Sequence, residues 1–115
     1  MSVKGGSNST RVGRWMSQDE YNKMVNTGRV QMSPNGNTTY VANPADINAF
    51  SKQAKPGSIY SEFNVDSNRI YPAGKSGWGQ IAGPGSLYDR RNIKVGKPPI
   101  VDMPEAIKIK IKGRK

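Results

Sequence analysis

Alternating apolar and polar residues mark two segments of this chain as strands of a half-buried sheet. In residues 58–65 the two sides are Ile59, Ser61, Phe63 and Val65 against Tyr60, Glu62 and Asn64. Residues 107–112 alternate isoleucine with lysine, a pattern typical of an edge or near-edge strand. The first of these segments places one carboxylate, Glu62, on the polar side of its strand.

Capping and helical spacing predict two short helices in the first half of the chain. Ser17 and Glu20 form a capping box, Gly28 gives the stop, and the inward face is Tyr21, Met24 and Val25. A second helix is predicted to follow Asn43 as its cap, with Pro44 at the first helical position and Asp46 in the first turn. Its inward stripe is Ile47, Phe50 and Ala54.

Shorter signals complete the predicted architecture. Residues 29–32, 38–41 and 76–82 are typical of strands, residues 33–37 of a turn, and residues 87–92 of a helical turn. The sum is a small single α+β domain, with two short N-terminal helices packed on a twisted antiparallel sheet. Residues 1–10 have no apolar segment, so we expect a flexible lead-in there and not a signal peptide. A folded domain is expected over residues 11–112, followed by a basic tail at 113–115.

Composition excludes several kinds of chemistry. The 115 residues include no Cys and no His, which excludes disulfides, thiol nucleophiles, His bases and Cys- or His-based metal sites. The acids are scattered, so we expect no metal site. The Gly-rich residues 74–85 match neither a P-loop nor a dinucleotide fingerprint. No stretch approaches the roughly 18 apolar residues of a membrane span, so we expect no membrane partner.

The chain is strongly basic, with 18 Lys and Arg against 8 Asp and Glu and a net charge of +10. Five of the basic residues lie in residues 108–115. Such a charge favours nucleic acid, a ribosomal surface or an acidic protein as partner, and it also serves solubility alone.

Two mechanisms fit the remaining side chains, and both use Glu62. One is transfer of ADP-ribose from NAD, in which a Glu or Gln supports an oxocarbenium-like centre and an Arg holds the pyrophosphate. The other is RNA cleavage, in which Glu is the base and Arg or Lys holds the phosphate. The ordinary interpretation of Glu62 is a solvated charge on a strand.

Several segments resemble a known toxin domain. They are Gly13-Arg-Trp-Met-Ser17, Glu20-Tyr21, Met24, Thr27-Gly-Arg-Val-Gln31, Thr38-Thr-Tyr-Val-Ala-Asn-Pro44, Gln53-Ala-Lys-Pro-Gly-Ser58, Tyr60-Ser-Glu-Phe63, Gly77-Trp78, Gly83-Pro84 and Ser86-Leu87. Over residues 11–105 the chain resembles the TreTu-like group, found at the C-termini of Rhs-type polymorphic toxins. The resemblance implies an ADP-ribosyltransferase-like fold, NAD as substrate without a metal, and modification of elongation factor Tu that blocks protein synthesis.

The resemblance also implies roles for individual residues. Arg14 would hold NAD, Thr38, Thr39 and Tyr40 would shape the nicotinamide pocket with Trp78 packed on it, Glu62 or Gln80 would be catalytic, and Arg90 and Arg91 would dock the acceptor. Ordinary interpretations stand beside these. Arg14 can pair with Asp19 or Glu20, the two threonines are common strand formers, Trp78 can fill a small core, and the paired arginines can serve solubility.

The expected protein is thus an antibacterial effector, secreted by a system such as type VI secretion and acting in the cytoplasm of a target bacterial cell. Its partners would be elongation factor Tu or another translation component and an acidic immunity protein. The alternative is a metal-independent ribonuclease with a barnase-like α+β fold, cleaving tRNA or rRNA, with Arg90, Arg91 and Lys110 on the phosphates. A non-enzymatic RNA-binding module fits least, because the aromatic residues are few and scattered.

Overall fold

In the described part of the chain, six strands form one antiparallel sheet accompanied by two short helices. The computed structural model of the protein describes residues 8–33 and 37–115. The elements in chain order are β1 (Ser9–Met16), α1 (Gln18–Thr27), β2 (Thr38–Ala42), β3 (Ile59–Asp66), β4 (Ile70–Pro72), β5 (Trp78–Ala82), α2 (Leu87–Lys94) and β6 (Ile107–Arg114). Neither helix in this described part has the length and apolarity needed to cross a membrane.

The sheet consists of two three-stranded halves. Its strand order is β4-β5-β2-β1-β3-β6. β1 pairs with β3 along its whole length, from Ser9↔Asp66 to Met16↔Ile59. Among the described residues, β1 and β2 are joined only by the pair Gly13↔Ala42. We call this junction the seam, since it is where the half β1-β3-β6 meets the half β4-β5-β2.

One face of the sheet, the core face, carries the hydrophobic core. Its buried cluster comprises Val12, Met16, Met24, Val30, Val41, Phe63, Val65, Ile81, Met103 and Ala106. The predicted alternation in β3 is confirmed, since Ile59, Ser61, Phe63 and Val65 are all buried. Residues paired across neighbouring strands share a face. The opposite face, the polar face, therefore carries Arg11, Gly13, Tyr40, Glu62, Asn64 and Gln80.

The first predicted helix is confirmed, with one difference in its capping and one in its inward face. The Ser17 hydroxyl accepts the Glu20 amide N–H at 3.1 Å, and Gly28 closes the helix with φ 70°. The Glu20 carboxylate bonds Arg14, although the capping box predicted that it reaches back to the cap. Val25 is 49% exposed, so its predicted place on the inward face is wrong. Met24 is buried in the core, and Tyr21 packs against it.

The second predicted helix is wrong. Residues 43–57 form turns with only a short 3-10 helix, Ser51–Gln53. Asp46 explains part of the failure, because its carboxylate accepts the Asn48 N–H at 2.9 Å and so competes with helical bonding. Phe50 has φ 65°, a left-handed conformation that a continuous helix does not allow. The two helices are therefore α1 near the N-terminus and α2 between β5 and β6, where residues 87–92 predicted a helical turn.

Most of the other predicted strands are confirmed, and one is wrong. Strands predicted within residues 38–41, 58–65, 76–82 and 107–112 are confirmed, and β6 lies at the sheet edge as expected. The strand predicted at residues 29–32 is wrong, because this segment forms only the isolated bridge Arg29↔Glu105. The buried Val30 instead donates its N–H to the Pro104 carbonyl. Residues 34–36 of the predicted turn and residues 1–7 of the predicted lead-in lie outside the described residues.

Candidate functional site

Glu62 is held at both of its carboxylate oxygens on the polar face. The Tyr60 hydroxyl donates to Oε2 at 3.2 Å, and the Arg11 Nε lies 3.5 Å from Oε1. The Glu62 side chain remains 21% exposed. This acid is therefore fixed in orientation and still open to solvent, which the ordinary interpretation of a freely solvated strand charge does not require.

Tyr60 is a buried support for this carboxylate. Its side chain is 1% exposed and lies over Gly13, where a Cβ atom would stand 2.0 Å from the phenol oxygen. Burial raises the pKa of Tyr60, and the negative charge of Glu62 raises it further. The phenol therefore keeps its proton at neutral pH and can donate it in the hydrogen bond to Glu62.

Arg11 ties the same carboxylate to its surroundings. Its Nη1 donates to the Asn64 Oδ1 at 2.9 Å and to the Lys108 carbonyl at 3.1 Å. On the other side of β3, Lys110 of β6 stands opposite Glu62 in the sheet register. Glu62 thus lies between two cationic residues on neighbouring strands.

Gln80 lies on the polar face as well, in the other half of the sheet. It pairs in register with Tyr40 of β2, which is 46% exposed. The Gln80 amide donates to the Pro72 carbonyl at 2.7 Å. The structure therefore brings Glu62, Tyr40 and Gln80 to one face, with the seam between Glu62 and the other two. Thr38 shares this face by register with Ala82 and is buried.

Arg14 lies on the core face, opposite Glu62. Its Nε and Nη2 donate to the Glu20 carboxylate at 2.5 and 3.1 Å, and its Nη1 donates to the Tyr40 carbonyl at 2.7 Å. The pairing of Arg14 with Glu20 that the ordinary interpretation allowed is thus confirmed. Because Tyr40 belongs to β2, this guanidinium also bridges the seam.

Thr39 shares the core face with Arg14. It is buried, and its hydroxyl donates to the Gln31 carbonyl. A buried hydroxyl of this kind needs such a partner, and the bond ties the start of β2 to the segment after α1. The roles of Arg14, Thr38, Thr39 and Tyr40 toward NAD stay predictions.

Trp78 begins β5 beside the turns of residues 43–57. Its ring stacks on Phe50 with centroids 4.2 Å apart, and the Lys75 ammonium lies 4.9 Å from the ring centroid. It lines two adjoining cavities of about 260 and 510 Å³, of which the larger also contains Phe50. Its neighbourhood is therefore aromatic and open to small molecules, and packing on nicotinamide stays a prediction.

Arg90 and Arg91 are exposed on α2, away from Glu62. The helix packs beside β4, the opposite edge of the sheet from β6, where Tyr88 stacks on Tyr71 with centroids 4.3 Å apart. Another cavity, of about 360 Å³, lies near the end of β3 and is lined in part by Asn64, Arg69 and Glu105. Among the described residues, no group of three or more Asp or Glu is arranged to hold a metal ion.

Sequence reasoning missed the contacts of Arg11 and the supporting role of Tyr60. The alternation in β3 does place Tyr60 on the same side as Glu62, so the contact between these two residues could have been predicted from the sequence. Arg11 had none, because its contact with Glu62 depends on the register between β1 and β3, which are more than forty residues apart in the chain.

Comparison with known proteins agrees with the resemblance seen in the sequence motifs. A search of curated proteins found no match to the chain. The model of the family described as TreTu toxin, C-terminal domain, matches residues 9–110. That span runs from the first residue of β1 into β6 and includes Glu62 with both of its side-chain partners. The chain therefore belongs to the family of TreTu toxin C-terminal domains.

Proposed function

We propose that this toxin domain transfers ADP-ribose from NAD to a component of the translation machinery, with elongation factor Tu as the first acceptor to test. The observation that carries the proposal is the Glu62 carboxylate, fixed by Tyr60 and Arg11 and still open to solvent. Membership of a family of toxin domains supports a damaging activity.

The chemistry asks for a fixed anion of this kind. In the transfer, the bond between the nicotinamide nitrogen and the ribose C1′ breaks, and nicotinamide leaves with the bonding electron pair. The ribose becomes oxocarbenium-like, and an acceptor nucleophile then bonds to C1′ and loses its proton. A carboxylate held beside the ribose stabilises the positive charge in the transition state more than in the ground state.

In this proposal the other predicted residues act from the two faces of the sheet. Tyr40 and Trp78 lie on the face of Glu62, where Tyr40 and Thr38 shape the nicotinamide pocket and Trp78 packs on the ring. Arg14 and Thr39 lie on the core face, so Arg14 reaches the NAD pyrophosphate through the seam and the buried Thr39 supports the pocket from behind β2. Arg14 would have to exchange one of its present bonds, to Glu20 or to the Tyr40 carbonyl, for a phosphate oxygen. Gln80 is the competitor of Glu62 for the charge-stabilising role, although its amide is already bonded to Pro72.

The proposal extends to the setting of the toxin. The domain would act in the cytoplasm of a target bacterial cell after secretion, and Arg90 and Arg91 would contact the acceptor. A cell that makes the toxin would need an immunity protein. An acidic one would complement the net charge of +10 and associate rapidly.

A second function, metal-independent RNA cleavage, is favoured by one specific observation. Arg11 and Lys110 flank Glu62 on neighbouring strands, and cations beside a carboxylate suit a base with a phosphate clamp. Here Glu62 would take the proton of a ribose 2′-hydroxyl, whose oxygen attacks the adjacent phosphorus and expels the 5′-oxygen of the next nucleotide.

One experiment separates the two functions. The purified domain is incubated with bacterial lysate and NAD labelled on its adenosine, and the products are run on protein and RNA gels. Label in a protein of the size of elongation factor Tu, with intact RNA, is the expected result, and Glu62→Ala should abolish it. Cleaved tRNA or rRNA without labelled protein would overturn the transfer proposal in favour of the ribonuclease.

A further inference from the structure

Exposed apolar residues gather around α2. Of the nine large hydrophobic residues that are exposed in the described part of the chain, four lie between residues 87 and 101. They are Leu87, Ile93, Val95 and Val101, exposed by 55%, 48%, 72% and 77%. Single exposed apolar residues need no explanation, whereas a local concentration of them marks an interaction surface.

The outward face of α2 combines this apolar character with positive charge. Leu87, Arg90, Arg91 and Lys94 are spaced i, i+3, i+4 and i+7, which places them on one side of a helix, and all four are exposed. On the inward side Asp89 is buried and Tyr88 stacks on Tyr71. The solvent-exposed side of α2 therefore carries three cationic side chains beside Leu87. Val95 and Val101, which are also exposed, follow in the chain.

This segment is held in shape by one buried carboxylate. Asp89 Oδ2 accepts the Gly85 N–H at 2.8 Å, and its Oδ1 accepts the Ile100 N–H at 2.7 Å. These two bonds lower the pKa of Asp89, so the carboxylate is ionised at neutral pH. The chain before α2 and the chain after it are tied to the same side chain. A partner that binds here therefore meets a surface that is already ordered, which reduces the entropic cost of association.

The surface is also separate from Glu62. α2 packs beside β4 at one edge of the sheet, while Glu62 lies on β3 next to the opposite edge strand, β6. Substitutions on α2 can therefore change partner binding and leave the site of bond cleavage as it is.

We propose that Leu87, Arg90, Arg91, Lys94 and Val95 form a docking surface for the acceptor protein, which would present an apolar patch rimmed by carboxylates. This inference rests on the proposed function. Apolar burial contributes roughly 25 cal/mol per Å², and a nucleic-acid backbone offers nothing to bury Leu87 and Val95. A second copy of this chain fits poorly, because three cations of each copy would face one another.

Two variants and a control test the docking surface. The charge-reversal variant is Arg90→Glu/Arg91→Glu, the apolar variant is Leu87→Ser/Val95→Ser, and the matched control is Lys23→Glu/Lys55→Glu, which changes the net charge equally on other exposed surfaces. Each is assayed with purified elongation factor Tu and labelled NAD for protein labelling, and without acceptor for nicotinamide release.

We expect charge reversal to lower protein labelling by about tenfold or more, since rim charges steer association. The apolar variant should lower it by about threefold to tenfold. Nicotinamide release without acceptor should match the wild type in both variants, and the control should match it in both assays. Unchanged labelling by both variants would overturn the docking surface while leaving the proposed transfer intact.

A different pattern would identify failure of the proposed function. If the wild type neither labels protein nor releases nicotinamide, growth arrest on expression in bacteria decides the docking inference instead. Loss of toxicity in both variants would then still support a protein partner on this surface. Retained toxicity of the apolar variant would overturn it, and with a non-toxic charge-reversal variant it would indicate a nucleic-acid partner.

Discussion

Two arginines on β1 show how one strand serves two purposes. Arg11 and Arg14 are three residues apart, so they lie on opposite faces of the sheet. Arg14 grips Glu20 with two N–H groups and bridges the seam through the Tyr40 carbonyl. The Arg11 Nε lies 3.5 Å from the Glu62 carboxylate, and its two Nη atoms donate to the Asn64 side chain and to the carbonyls of Lys108 and Glu62.

Arg14 therefore supports the fold, whereas Arg11 orients a residue of the candidate site. The ion pair of Arg14 with Glu20 closes over a short stretch of chain. The bond of Arg14 to the Tyr40 carbonyl joins the two halves of the sheet, where a single residue pair connects β1 with β2 among the described residues. Arg11 helps orient a carboxylate that keeps solvent access. We therefore expect loss of Arg14 to affect stability first, and loss of Arg11 to affect the geometry around Glu62 first.

The largest expected effect on stability comes from Arg14→Ala. Removing the guanidinium leaves Glu20 without its cation and the Tyr40 carbonyl without its donor, which should cost about 2–3 kcal/mol of unfolding free energy. Arg11→Ala should cost about 1 kcal/mol, because its ion pair is longer and more exposed. Urea unfolding measures both, with the exposed Arg91→Ala as a control expected to stay within about 0.5 kcal/mol. A larger loss for Arg11→Ala than for Arg14→Ala would invert the comparison.

Gly13→Ala should disturb the polar face by displacing the Tyr60 ring that supports Glu62. The new Cβ would stand 2.0 Å from the Tyr60 oxygen and 2.5 Å from its Cζ, so the ring must move and release Glu62. We expect a loss of about 2 kcal/mol together with loss of activity. Adding Tyr60→Ala removes the clash, so the double variant should be less destabilised than the sum of the two single variants. Strict additivity would show that the ring does not lie over Gly13.

The smallest expected effect concerns the Tyr60 hydroxyl alone. Tyr60→Phe removes the hydrogen bond to Glu62 and should cost about 1 kcal/mol at neutral pH. In the folded protein the pKa of Tyr60 is raised above its ordinary value of 10.0. The stabilisation that this raised pKa provides is fully present below pH 10. It declines as the pH rises further, because Tyr60 loses its proton in the unfolded chain before it does so in the folded protein.

The pH dependence of unfolding checks that sign. Unfolding free energies of the wild type and Tyr60→Phe are compared between about pH 8 and pH 11. The wild type should lose more stability than the variant over this range. Equal losses would show that the Tyr60 phenol is not held protonated by its surroundings.

The sequence predicted elements where local signals agree with one another. Residues 58–65 and 107–112 alternate without conflict, and Ser17 with Gly28 bounds a helix that exists as predicted. Residues 43–57 failed because capping and spacing signals were outweighed by the turn of Asp46 and the left-handed conformation of Phe50. The bond between Asp46 and the Asn48 N–H is a local alternative to the helix, whereas local propensity does not contain the left-handed conformation of Phe50.

In the candidate site, too, the contacts between residues close in sequence were predictable, and those between distant strands were not. Glu62 and the side it shares with Tyr60 follow from the two-residue period of a strand. The Arg14–Glu20 pair joins a strand to the helix just after it, and it was among the alternatives open from the sequence. The contact of Arg11 with Glu62 and the place of Gln80 across the seam depend on strand order and register, which periodicity does not specify.

The rate of nicotinamide release tests the central claim most directly. It is measured for the wild type, Glu62→Gln and the matched control Glu105→Gln, which neutralises another, exposed carboxylate; urea unfolding confirms that each variant is folded. Loss of the charge at Glu62 should lower the rate by about 100-fold or more, with Glu105→Gln close to the wild type. A folded Glu62→Gln variant that releases nicotinamide at the wild-type rate would contradict the assignment of Glu62 as the charge-stabilising residue.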